Sequence, residues 1–88
     1  MLEIKYSEKA VKQLKEISTG NPIDSERIIS VIENYAQAPM EKHDIKSLKG
    51  KFGEFKRLRI GDYRVIFDNE SNVMLVYEVK HRKDVYND

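Results

Sequence analysis

Three arginines, Arg57, Arg59 and Arg64, stand in the stretch RLRIGDYRVIF on either side of Gly61-Asp62. A guanidinium is a planar fork of N–H donors that matches two phosphate oxygens at once and stays protonated near neutral pH. Several such forks on one surface suit the binding of a phosphodiester and the stabilisation of charge developing on its phosphorus. Downstream, HRKDVY adds His81, Arg82 and Tyr86. Imidazole titrates near pH 6.5 unaided, whereas a phenol needs its reference pKa of about 10 lowered, a direction in which neighbouring guanidinium groups push. Upstream stand Lys46, Lys49, Lys51 and Lys56. Residues 46–66 thus hold seven Lys/Arg against two Asp/Glu, in a chain whose net charge is only +1. A local field of this kind suits an anionic partner such as RNA, and lysines on it would position a backbone without reading sequence.

The elements around these residues decide whether they can act together. A two-residue loop with glycine first is the signature of a type II′ hairpin turn. With Gly61-Asp62 as the turn, Ile60 opposes Tyr63, Arg59 opposes Arg64, Leu58 opposes Val65 and Arg57 opposes Ile66. Opposed residues share a face and successive ones alternate, so Leu58, Ile60, Tyr63, Val65 and Phe67 point to the core and the three arginines point away together. Like charges directly opposed are destabilising, so the fold must supply carboxylates or bind an anion. A third strand, Val73 to Lys80, alternates Val73, Leu75, Tyr77 and Val79 toward the core. That sends Glu78, Lys80 and, if the strand runs on, Arg82 to the arginine face. Glu78 can neutralise one guanidinium but not three or four; Arg59, a second-tier candidate, either pairs with it or orients the other arginines. The same alternation turns His81 and Lys56 to the core side.

The remaining chain supplies a scaffold. At 88 residues it supports one domain, spanning 1–88. With no cysteine, disulfides, zinc–thiolate sites and a thiol nucleophile are excluded. His43-Asp44 and the distant His81 have no diagnostic metal spacing, so neither metal nor other cofactor is expected. No apolar run approaches the ~20 residues of a membrane span and no leader precedes Leu2, which makes the cytoplasm the expected compartment. LEIKY reads as a short strand. Ser7 caps a helix with Ala10, Val11, Leu14 and Ile17 on one face. TGNP ends that helix and starts another, with Gly20 as stop, Asn21 as N-cap and Pro22 in the first helical position. Ile28, Val31, Ile32 and Tyr35 form the second helix's core stripe. Residues 38–50, APMEKHDIKSLKG, lack periodicity and are expected as a long loop pinned by Ile45 and Leu48. The expected fold is α+β: an N-terminal strand, a helical hairpin, then a three-stranded antiparallel meander, with the helices on one face of the sheet. The aromatic residues fall mostly on buried parities, which leaves no stacking platform for single strands.

The segments LKG, FKRLRIGDYRVIF and VYEVKHRKDVY resemble the RelE/ParE superfamily of bacterial and archaeal toxins, and the order of elements is that of the family. The paired RLRIGDYR and HRKDVY blocks are more similar to the RelE branch, which cleaves messenger RNA in the ribosomal A site. The resemblance implies a metal-independent, ribosome-dependent endoribonuclease with Arg57, Arg64, Arg82 and Tyr86 as catalytic residues, Arg59 and His81 as further candidates, and Lys46, Lys49, Lys51 and Lys56 toward RNA. Tyr86 is the base it implies; the bland alternative is an aromatic packed on the sheet edge. It implies as partners the ribosome with its messenger RNA and a cognate RelB-like antitoxin, in a heterotetramer, and no membrane. Two other outcomes remain open: a ParE-like inhibitor of DNA gyrase without chemistry, and a degenerate, non-toxic member that only binds an antitoxin.

Overall fold

The computed structural model describes residues 1–50 and 53–84. Its elements in chain order are β1 (Glu3–Tyr6), α1 (Glu8–Gly20), α2 (Pro22–Gln37), β2 (Ile45–Gly50), β3 (Gly53–Ile60), β4 (Tyr63–Glu70), β5 (Val73–His81) and a 3₁₀ turn at Arg82–Asp84. The helix ends follow local chemistry. The Ser7 hydroxyl accepts from the Ala10 N–H at 3.0 Å, and the Asn21 side chain accepts from the Asp24 N–H at 3.2 Å with Pro22 opening α2.

Five strands form one sheet in the order β1-β5-β4-β3-β2, with β1 parallel to β5 and every other pair antiparallel. The core lies between this sheet and the helices. It joins Ala10 of α1 and Ile28, Ile32, Tyr35 and Ala36 of α2 to Leu58, Ile60, Val65, Phe67, Met74, Val76 and Val79. Val11, expected on the inner face of α1, is exposed, and Leu14, Ile17 and Val31 are only partly buried. Among the described residues no helix is long and apolar enough to cross a membrane.

The β3–β4 register is the expected one, residue for residue from Arg57↔Ile66 to Ile60↔Tyr63. Gly61 sits at φ +57°, the left-handed region a side chain resists, while Asp62 stays outside it.

Two expectations about the strands fail. Ile45–Gly50 is not loop but an edge strand paired with β3, so the antiparallel meander has four strands. Among the described side chains of that strand, Ile45 packs on the core; Leu48 lies opposite Phe55, on the other face. An edge strand with one described core contact carries little alternation to detect. The second failure is in β5. A bulge between Ile66 and Phe67 of β4 pairs Ile66 with Glu78 but Phe67 with Val76, leaving Tyr77 as the extra residue. Inward parity therefore switches: Val79 is buried as expected, but Met74 and Val76 replace Leu75 and Tyr77 in the core.

The bulge is braced from α1. The Ser7 hydroxyl donates to the Tyr77 carbonyl at 2.7 Å, and the Gln13 side-chain oxygen accepts from the Val79 N–H at 2.7 Å. β1 ends at Tyr6, so these two side chains continue the hydrogen bonding of β5 where strand pairing stops.

Candidate nucleic-acid interface

Both helices pack on one face of the sheet, and the other face carries the charged residues in rows set by strand pairing. Across β3, β4 and β5 the registers align Arg59, Arg64 and Lys80. The next row, two residues along, is Lys46, Arg57, Ile66 and Glu78. The third brings Leu48 opposite Phe55 and Asp68 opposite Leu75, with the bulged Tyr77 beside them. Adjacent strands lie about 4.8 Å apart, so the first row places three cations on three consecutive strands.

Ion pairs temper this charge without removing it. The Arg57 side chain is only 12% exposed, and its Nη1 lies 3.7 Å from the Asp44 carboxylate, which is itself largely in water. The Nη1 of Arg64 is buried. Glu78 pairs with Lys9, reaching over from α1, and with Lys80 at 3.3 Å. The alternative that Arg59 pairs with Glu78 is therefore not realised: lysines take that carboxylate, and Arg59 is exposed, with its N–H bonded to the Asp44 carbonyl at 3.0 Å.

Burial alone would raise the Glu78 pKa, but the hydrogen bond from Lys9 and the charge of Lys80 outweigh it and hold the carboxyl below its ordinary 4.5. A depressed folded-state pKa stabilises fully above the unfolded value and is lost as pH falls through the folded one. Glu78→Gln should accordingly flatten the loss of stability below about pH 4.5, read from urea midpoints across the acid range.

β5 ends at His81, and a 3₁₀ turn follows at Arg82–Asp84, one step past the Tyr63↔His81 pair. The Arg82 N–H donates to the Asp62 carbonyl at 2.6 Å, and its guanidinium, 75% exposed, stands 3.6 Å from the Asp62 carboxylate. His81 opposes Tyr63 on the helix side, with ring centroids 5.0 Å apart and edge to face, and its Nδ1 accepts from the Lys83 N–H at 3.1 Å. His43, excluded above as a metal ligand, has a structural role: its Nε2 bonds the Ala38 carbonyl at 2.7 Å and its ring packs on Tyr35.

Of the lysines, Lys46 is exposed beside Arg57, whereas Lys56 lies opposite the buried Phe67 and so has the helix-side parity. Tyr86 and Lys51 lie outside the described residues, as does the side chain of Lys49. Two described tyrosines near the site are tuned away from proton abstraction. Burial and the hydrogen bond to Asp24 raise the Tyr63 pKa above 10.0; its bond to Asp68 and burial raise that of Tyr77.

The Phe55–Tyr77 pair was not foreseen. Its ring centroids are 5.1 Å apart at 85°, on the arginine face, and the Tyr77 hydroxyl donates to Asp68 at 2.7 Å. The sequence signal was ambiguous, because VMLVYEV is apolar on both parities. Lys9 and Asp44, the partners of Glu78 and Arg57, were equally unmarked; their positions depend on tertiary packing.

Residues 4–86 match the family profile described as ParE toxin of the type II toxin–antitoxin system, parDE. The protein Toxin RelE3 of Methanocaldococcus jannaschii is 27% identical over 85 residues, covering 97% of this chain and 96% of that one. Among solved structures, the RelB-RelE antitoxin–toxin complex from Methanococcus jannaschii aligns with a TM-score of 0.69 at 29% identity, over 99% of this chain and 96% of that one. The archaeal RelE-RelB complex from Pyrococcus horikoshii aligns with a TM-score of 0.70 at 26% identity, over 96% and 98%. A match spanning nearly the whole chain, together with a shared fold, makes this chain a member of the RelE/ParE superfamily of type II toxins.

Proposed function

We propose that this toxin is a metal-independent, ribosome-dependent endoribonuclease acting on messenger RNA. The observation that carries the proposal is the cation row Arg59, Arg64, Lys80 with Arg57 beside it, on a sheet face that neither helix covers. RNA brings its own nucleophile. The 2′-oxygen attacks the adjacent phosphorus, the bond from phosphorus to the 5′-oxygen breaks as that oxygen takes a proton from water, and the products are a 2′,3′-cyclic phosphate and a 5′-hydroxyl end. Arg57 and Arg64 would grip the phosphate and stabilise the pentavalent centre, with Arg59 orienting them. Arg82, by resemblance, holds the leaving-group side, and Tyr86 takes the proton from the 2′-hydroxyl. Guanidinium groups close to that phenol would lower its pKa, opposite to the shifts of Tyr63 and Tyr77. Lys46 extends the field toward RNA. The solved relatives from Methanococcus jannaschii and Pyrococcus horikoshii are complexes with RelB antitoxins, which supports a cognate antitoxin for this chain as well.

The test is to map 5′-hydroxyl RNA ends in a cell-free translation reaction with the purified protein. New ends on translated messages, absent without ribosomes, are expected. A second reading, a gyrase inhibitor, is favoured by the ParE description of the matching profile and by the placement of His81 on the helix side, away from the arginines. It predicts no new ends and a loss of supercoiling activity when gyrase is mixed with the protein.

A further inference from the structure

The third row of the open face differs in kind from the first two. It carries Leu48, Phe55, Leu75 and Tyr77, and its described charge is the carboxylate of Asp68. An anionic backbone is drawn to the first two rows and repelled from the third, while an apolar aromatic surface suits the face of a base. Phe55 precedes Arg57 by two residues on the same strand and face, about 7 Å away, within the reach of one nucleotide. Tyr77 is held at two points, its ring hydroxyl by Asp68 and its backbone carbonyl by Ser7. Without the bulge, Tyr77 would oppose Phe67 and turn inward; the extra residue is what brings it to Phe55.

We propose that Phe55 and Tyr77 form a stacking platform for the nucleobase next to the phosphate gripped by Arg57 and Arg64, a proposal that rests on the ribonuclease reading above. Backbone and base thus have separate places on one sheet face, and the bulge is the device that separates them.

The test uses ribosomes programmed with a message carrying 2-aminopurine, whose fluorescence falls on stacking, in the A-site codon. One form is cleavable, and the other has a 2′-deoxy nucleotide at the cut. Phe55→Leu should slow cleavage by about 5- to 150-fold, the span of one base–aromatic stack, and should abolish the quenching seen with wild type. Phe55→Tyr should restore both. Thermal unfolding of each variant accompanies the assay. Wild-type cleavage with an unchanged rate in Phe55→Leu overturns the platform and leaves the ribonuclease intact. Slower cleavage with quenching unchanged also overturns it, because Phe55 then acts only through structure. No cleavage by wild type overturns the underlying reading, and the platform with it.

Discussion

Replacing Arg64 by alanine is expected to remove messenger cleavage by about 10²- to 10³-fold while leaving the protein folded. The magnitude is that of losing one preorganised donor aimed at developing charge. Arg64 occupies the middle strand of the cation row, between Arg59 and Lys80. The fold should survive because Arg64 lies on the open face, outside the core that its strand builds with Val65 and Phe67. Arg64→Lys should fall between the two, since it keeps the charge but loses the bidentate fork. The measurements are the rate of appearance of 5′-hydroxyl ends and a thermal melt on the same preparations. Normal cleavage by Arg64→Ala would sink the account of the arginine row.

Phe67→Ala should cost about 3–5 kcal/mol of stability. A domain of this size has on the order of 4–13 kcal/mol in total, so the variant is expected to be partly unfolded near 37 °C. Phe67 is fully buried in the central strand, edge to face with Tyr35 at 5.0 Å, and opposes Val76 at the bulge. A matched pair of substitutions tests the parity switch itself. Met74→Ala should cost about 2–5 kcal/mol because Met74 is fully buried, whereas Leu75→Ala, on the open face, should cost less than about 1.5 kcal/mol. Urea unfolding of the pair reads out the answer. Equal losses, or the reverse order, would mean that the strand faces the core with its other set of residues.

What could be read from the sequence was local. Ser7, Asn21 and Pro22 announce their helix ends because capping depends on neighbours within a turn. Gly61-Asp62 fixes the β3–β4 register, since a two-residue turn leaves only one pairing, and that register is what gathers Arg57, Arg59 and Arg64. The missed features depend on distant partners. IKSLKG has Ile45 as its described apolar contact with the core and becomes a strand because β3 is there to pair with it. In VMLVYEVKH alternation could not choose a face, and the choice is made at the bulge, where Ser7 and Gln13 satisfy backbone groups from 70 and 66 residues away.

The parallel pairing of β1 with β5 also sets a timetable. The hairpin of β3 and β4 closes through a two-residue turn, so Arg59 and Arg64 can face each other early in folding. β1 must wait, because its partner residues begin at Val73, and such long-range pairings form slowly. Lys80, Tyr77 and the brace from Ser7 all arrive with that same strand. During synthesis, the translation of residues 73–81 therefore marks the earliest moment at which the face is complete. For a protein proposed to attack ribosomes in the act of translating, the topology delays maturity until that chain segment has been made.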